Sequence, residues 1–393
     1  MYNSVIIRNG EVAIKGLNRS YFENHLVKNL KKALYGLDGY EVYKADGRTY
    51  VDFTPTNETE VLSRIPNVFG VMGYSPVFKT EPGYETAKNS ALLYFLDKLK
   101  EHDYKSFKVS AKRENKKMNL TSPEIAKDIG GFILSHTTAP IAVDVHNPEL
   151  HIVVEVRNNC NVIYSEKYDG VGGMPIGTNG RAMTLLSGGI DSPVATYQIA
   201  KRGLLIEAVH FHSFPFTGEA AQAKIERLAQ VLFKYTDPFK IHMVNLLPIQ
   251  KQIAEKCSED MMTILSRRFM MRIAEKLALK NHCNSLVTGE SIGQVASQTV
   301  EGLQCSNAAV SVLPVFRPLI SWDKDEIIKA ACKIGTFDIS IIPAEDCCTV
   351  FLPKHPVTRP KLDKVIKEES ALDVDELVKN ACEESVIKHI DMI

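Results

Sequence analysis

From Ala182 onward, short β-rich runs alternate with helical segments, and this alternation constrains the chain more than any other feature. "AMTLLS", "LLIEAVHFHS", "FKIHMVNLLPIQ" and "SLVTGES" read as strands. "SPVATYQIAKRG", "EAAQAKIERLAQVLFKYT" and the long segment 251–279 read as helices. Parallel strands need crossover connections, and helices at this spacing supply them. The order predicts a doubly wound, mainly parallel sheet, which binds ligands outside the carboxyl ends of its strands.

At that edge, between the first strand and the first helix, sits "LLSGGIDSP", residues 185–193. Two glycines flanked by serines make either an ordinary turn or a phosphate cradle. A cradle needs converging backbone N–H groups and the positive end of a helix, and glycine lets an anion come close. The spacing is neither GxxxxGK[ST] nor GxGxxG. Asp191 beside an anion calls for a bridging cation or metal.

Upstream the grammar is different. "SVIIRNGEV" is β-rich, "LNRSYFENHLVKNLKKALYGL" has apolar residues at helical spacing, and "YEVYKADGRTYVDF" reads as a hairpin turning at "ADGR". A second α+β unit follows, with a helix in "TSPEIAKDIGGFILSHT" that Thr121 or Ser122 can cap. "GVGGMPIGTNGR" reads as a linker. The expected organisation is an α+β unit over 1–58, a second over 59–168, a linker over 169–181 and the α/β unit over 182–393.

The 393 residues carry no net charge, but the balance is uneven along the chain. Residues 98–117 hold eight basic and three acidic side chains, whereas 367–393 hold three and eight. The basic block, with Lys105, Lys108, Lys112, Arg113, Lys116 and Lys117, suits contact with phosphates, or it is a solvated face. The acidic tail, which includes Cys382, reads as a surface helix and a donor-docking surface. No apolar run approaches the roughly 20 residues of a membrane span, and a cytoplasmic protein is expected. None of the eight cysteines forms a CxxC pair or a zinc-like spacing, so no metal site is expected and most should be buried thiols. The adjacent pair Cys347 and Cys348 stands apart.

"LLSGGIDSP" resembles the pyrophosphate loop of enzymes that split ATP between its α- and β-phosphates, among them GMP synthetase, lysidine synthetase and the tRNA thiolases. "RNGEVAIKGLNRSYFE", "FKVSAKRENKKMNLTSPEIAKDIGGFI", "VDVHNPELHIVVEV", "EAVHFHSFPFT", "RRFMMRIAE", "LVTGESIGQVASQT", "FRPLISWDKDEI" and "PAEDCCTVFLPKHP" narrow this to the tRNA 4-thiouridine synthetases (tRNA sulfurtransferases). The likeness runs over nearly the whole chain. It implies a ferredoxin-like N-terminal domain, an RNA-binding THUMP domain and a catalytic pyrophosphate-loop domain.

The resemblance assigns ATP, with its Mg²⁺, to Leu185, Leu186, Ser187, Gly188, Gly189, Asp191, Ser192, His210, Phe211, Arg267, Gly289 and Gln298. It makes Asp191 and Lys324 the charged catalytic residues and places a required cysteine at Cys347 or Cys348. A lysine at a helix start is itself mildly unexpected. The implied reaction adenylates O4 of uridine 8 in tRNA and replaces that oxygen with persulfide sulfur. Implied partners are tRNA, a cysteine desulfurase, a sulfur carrier of thiamine thiazole synthesis and a second copy of the chain. The match is to a short form, ending at Ile393 without the rhodanese domain of longer members. A lysidine synthetase would need neither the cysteine nor the THUMP-like unit. An RNA-binding protein with a dead nucleotide site would not need Ser187, Asp191 and Lys324.

Overall fold

A computed structural model describes residues 1–116, 118–295, 297–345, 347, 350–351, 353 and 356–391. The chain divides into two compact units, Met1–Met174 and Pro175–Ile393.

In the first unit the strands are β1 (Ser4–Arg8), β2 (Tyr40–Ala45), β3 (Arg48–Phe53), β4 (Gly73–Thr80), β5 (Ser106–Arg113), β6 (Ala142–Val143), β7 (Leu150–Val156), β8 (Asn161–Tyr164) and β9 (Tyr168–Asp169). Its helices are α1 (Arg19–Ala33), α2 (Glu58–Arg64), α3 (Tyr84–Glu101) and α4 (Ser122–Ser135). The sheet order is β2-β3-β1-β4-β8-β7-β5-β6, with β9 also on β4. The hairpin forms where "ADGR" predicts it, because Asp46 (φ 51°) and Gly47 (φ 72°) both take the left-handed conformation of a two-residue turn. Of the two cap candidates for α4, Thr121 does the work in a reciprocal box with Glu124. Leu26, Leu30 and Leu34 of the α1 segment are fully buried against Val5, Val51 and Val61. Ile125, Ile129 and Ile133 of α4 do the same against Phe95 and Phe107.

In the second unit the alternation is borne out. It comprises β10 (Arg181–Leu185), α5 (Asp191–Ala200), β11 (Leu205–His212), α6 (Glu219–Phe233), β12 (Phe239–Asn245), α7 (Leu247–Lys256), α8 (Met262–Lys280), β13 (Ser285–Val287), α9 (Val300–Asn307), β14 (Val315–Phe316), α10 (Lys324–Ile334), α11 (Phe337–Ser340), α12 (Leu362–Glu369), α13 (Val374–Glu383) and β15 (Val386–Ile390). The sheet order is β14-β13-β10-β11-β12-β15, parallel throughout except for β15 at its edge. Helix α5 packs on α6 and α10, whereas α8 packs on α7, α9 and α13. The strand order reverses at β10, with β11 on one side and β13 on the other, which opens a crevice at the carboxyl ends of these three strands.

Three expectations need correction. The segment 251–279 is not one helix: it breaks at Cys257 and Ser258, both extended, and a 3₁₀ turn at Glu259–Met261 leads into α8. The strand preceding it stops at Asn245, because Pro248 opens α7 within its first turn. The acidic tail is also not simply a surface helix. Val378, Ala381 and Cys382, at helical spacing on α13, are buried in the core around α8. Glu369 at the end of α12 is buried as well, and accepts two bonds from Arg268, at 2.9 and 2.7 Å, and one from Arg272 at 2.7 Å. Burial alone would raise the Glu369 carboxyl, but the two guanidinium groups hold it below its ordinary range. Breaking such a buried network by removing one partner costs about 3–5 kcal/mol.

Candidate functional site

The crevice at the switch point is a cavity of about 620 Å³, within the size range of small-molecule sites. All twelve residues expected around ATP line it. Leu185 ends β10 and Leu186 follows it, His210 and Phe211 lie near the end of β11, and Gly289 follows β13. The loop after β10 is braced from within. The Ser187 N–H donates to Ser192 Oγ at 2.8 Å, and the Ser192 hydroxyl donates to the Ser187 carbonyl at 3.2 Å.

Neither Gly188 nor Gly189 has a positive φ. A Cβ on Gly188 would first meet the Lys224 side chain at 3.4 Å, and one on Gly189 the Ser187 hydroxyl at 3.6 Å. The turn itself therefore does not demand glycine. What the pair provides is room for an anion to reach the backbone, beside the N-terminus of the ten-residue helix α5.

Gly289 is glycine for a different reason. A Cβ there would lie 2.8 Å from the Ser192 nitrogen and 2.9 Å from the Asp191 carbonyl carbon, so β13's exit packs directly on the start of α5. Gly289→Ala must push that helix end away. It is expected to lower stability by about 1–3 kcal/mol and to weaken ATP binding about tenfold, read by urea denaturation and ATP titration.

Two charge clusters face the loop. Asp191 Oδ1 lies 2.7 Å from Lys324 Nζ, and its Oδ2 accepts from Gln294 Nε2 at 2.9 Å. Lys324 opens α10, whose start is secured without it by Asp323 and Glu326 in a capping box. On the other side, buried Glu290 pairs with Arg267 and, at 2.7 Å, with Arg317. Arg267 also donates to the Ser297 hydroxyl at 2.8 Å. The Gln298 Oε1 accepts from the Ser291 N–H at 3.4 Å. The His210 Nδ1 lies 2.9 Å from the Leu186 carbonyl. A carbonyl only accepts, so Nδ1 carries the proton.

Cys347 is buried and lines the same cavity, and its carbonyl accepts from Gln250 Nε2 at 2.8 Å. Cys348 lies outside the described residues. Elsewhere burial pushes thiols up, Cys283 to about 12 and Cys382 to about 11, which leaves them unreactive.

Sequence reasoning missed Lys224 and Glu290. Lys224 looks like the solvated face of an amphipathic helix, but it is buried and its Nζ donates to the carbonyls of Ser340 and Ile342 at 2.8 and 2.7 Å. Glu290 stands beside Gly289 in "TGES", and only its two arginine partners, distant in sequence, reveal its place.

In the first unit, Lys108 and Lys112 lie on β5, where they alternate with buried Phe107 and Val109. Lys108 Nζ donates to the Val145 carbonyl at 2.9 Å, and Lys112 lies 3.6 Å from buried Glu155. Lys105 pairs with Asp103 at 2.5 Å, and Lys116 is exposed. Arg113 instead donates to the carbonyls of Lys116 and Met118 at 3.1 and 2.7 Å, tying down its own loop. Lys117 lies outside the described residues.

The family model described as "Thiamine biosynthesis protein (ThiI)" matches residues 177–374, a ThiI ferredoxin-like domain matches 4–75, and a THUMP domain matches 84–166. The chain belongs to the ThiI family. A probable tRNA sulfurtransferase of Alkaliphilus metalliredigens is 50% identical over 100% of this chain and 99% of its own length. That of Alkaliphilus oremlandii is also 50% identical, over the whole of both chains. Among solved structures, a 4-thiouridine synthetase–RNA complex with bound ATP matches with a TM-score of 0.92 and 36% identity over 100% of both chains. PH1313 from Pyrococcus horikoshii matches with a TM-score of 0.65 and 25% identity, over 85% of this chain and 99% of that one. For this ThiI-family chain the expected fold classes hold: ferredoxin-like and THUMP domains and a doubly wound pyrophosphate-loop domain. Among the described residues, no helix is long and apolar enough to cross a membrane.

Proposed function

We propose that this chain is an ATP-dependent tRNA sulfurtransferase that converts uridine 8 of tRNA to 4-thiouridine. The observation that carries this is one cavity containing the glycine loop, the Asp191–Lys324 pair nearby and Cys347. The names of the relatives and the ATP and RNA of the solved complex support it.

Uracil O4 attacks the α-phosphorus, the bond to the α,β-bridging oxygen breaks, and pyrophosphate leaves along Ser187–Ser192. Lys324 offsets the charge that develops on the α-phosphate, and Asp191 orients Lys324. The terminal sulfur of a cysteine persulfide then attacks C4, and the C4–O bond breaks with AMP as leaving group. A second thiol cleaves the remaining sulfur–sulfur bond, which leaves sulfur on the base and a disulfide that an external thiol reduces. Cys347 or Cys348 carries the persulfide, loaded by a cysteine desulfurase.

Mg²⁺ enters with the nucleotide. Among the described residues no group of three acidic, histidine or cysteine side chains could hold a metal. A magnesium ion carried by phosphates needs only one or two carboxylates, and Asp191 fits that part. When bound, the ion neutralises phosphate charge.

The reading divides the chain into 1–58, 59–168, a linker over 169–181 and 182–393, with Lys105, Lys108, Lys112, Arg113, Lys116 and Lys117 on the RNA. It places a homodimer in the cytoplasm. The family model's description supports a second use of the same sulfur, delivery to a carrier protein for the thiamine thiazole.

The test supplies tRNA, ATP with Mg²⁺, cysteine, a cysteine desulfurase and a thiol reductant, and follows 4-thiouridine by its near-ultraviolet absorbance. Thiouridine that depends on ATP is the expected result. Its absence with active desulfurase overturns the reading.

A further inference from the structure

Two large exposed apolar side chains stand in a loop that borders the cavity lining. Phe214 and Phe216, in the loop between β11 and α6, are 50% and 56% exposed. The loop that carries them is not slack. The Ser213 N–H donates to Thr217 Oγ1 at 2.9 Å, the Phe216 N–H to the Ser213 carbonyl at 2.8 Å, and Asn245 Nδ2 to the Phe214 carbonyl at 3.3 Å. The residues bracketing the two rings, His212 and Thr217, line the nucleotide cavity.

The Phe216 ring meets that of Phe351, in the segment of Cys347, edge-on at 6.3 Å between centroids. A buried strut joins the two segments. Gln250 on α7, 2% exposed, accepts from the Ser213 hydroxyl at 2.7 Å and donates to the Cys347 carbonyl at 2.8 Å. The aromatic loop and the cysteine are thereby fixed to one side chain.

We propose that Phe214, Phe216 and Phe351 form the seat on which the target pyrimidine base stacks during its adenylation and thiolation. This rests on the function proposed above. A base inside folded RNA cannot present C4 to both a phosphate and a cysteine unless it leaves its stack. Aromatic faces replace the lost stacking and hold extruded or single-stranded bases without reading a sequence. The seat adjoins the nucleotide cavity through His212 and Thr217 and the cysteine segment through Phe351, and Cys347 lines that same cavity. Rigid mounting through Gln250 keeps the base and the sulfur-bearing segment in register.

The test uses the full chain and a tRNA carrying 5-bromouridine at position 8. Irradiation of the complex with a non-hydrolysable ATP analogue should cross-link that base to peptides containing residues 213–217 or 351, identified by mass spectrometry. In parallel, Phe214→Ala/Phe216→Ala should slow single-turnover thiouridine formation by about 10- to 100-fold, with ATP affinity within about twofold of wild type. Phe216→Trp in the Phe214→Ala background should recover most of the rate.

Cross-links confined to other peptides overturn the seat, and so does a double variant with wild-type rate. ATP affinity falling in step with thiolation also overturns it, because the rings would then hold adenine. Absence of thiouridine from the wild-type chain counts instead against the function, and the cross-link still reads the seat. The cross-link needs no variant, so a poorly folded double variant leaves the proposal testable.

Discussion

Lys324→Ala is expected to slow single-turnover 4-thiouridine formation by about 10²- to 10³-fold while ATP still binds. The lysine sits at the start of α10, where the helix dipole disfavours a cation and where Asp323 and Glu326 already complete the cap. Helix formation therefore gives no reason for it. Its Nζ lies 2.7 Å from Asp191 Oδ1, and the side chain is 42% exposed, so an incoming phosphate can reach it. An exposed ion pair contributes roughly 0–1 kcal/mol to stability, and the variant should melt near the wild-type temperature. The same charge at the α-phosphate in the transition state is worth far more, because it acts where negative charge develops. Lys324→Arg retains the charge in a larger planar group and should recover only part of the rate. Single-turnover rates and equilibrium dialysis of ATP separate the two effects. A rate within about tenfold of wild type would remove Lys324 from the catalytic centre.

Much of this site is legible in the chain because its determinants are local. The loop "LLSGGIDSP" lies between a strand and a helix, and strand–helix alternation alone predicts which edge of the sheet it occupies. The structure adds why the glycines are there: Gly289 yields to the backbone of α5, whereas Gly188 and Gly189 yield to no backbone of their own chain. What stayed hidden depends on contacts distant in sequence. Lys224 is indistinguishable from a solvated helix lysine until Ser340 and Ile342 arrive at its ammonium. The tail reads as acidic surface because its acidic residues outnumber its basic ones, eight to three. Yet Val378, Ala381 and Cys382 fall on one face, and Glu369 meets two arginines on α8. The break between α7 and α8 was signalled by "SED", a helix-start pattern inside an otherwise continuous helical period.

Cys347→Ser is expected to separate the two halves of the reaction. Adenylation asks nothing of a thiol, so tRNA-dependent release of pyrophosphate should continue, limited by the slow reaction of the adenylated base with water. Thiouridine should fall by about 10³-fold or more, since a serine hydroxyl cannot carry a transferable sulfur. Sulfur labelled on cysteine and passed through the desulfurase should remain on wild-type protein as a persulfide and be absent from the variant. Cys332, exposed on α10 and outside the cavity lining, provides the control, and Cys332→Ser should thiolate normally. Cys348→Ser completes the comparison, because the sequence alone does not divide the adjacent pair. Labelled sulfur retained by Cys347→Ser and lost from Cys348→Ser would move the persulfide to the neighbour. If the variant that loses the label also loses pyrophosphate release, the cysteine segment serves activation as well as sulfur transfer. The bond from Gln250 to the Cys347 carbonyl argues for separation instead: it is made by the backbone, which a serine preserves, so the segment should keep its place when only the sulfur is removed.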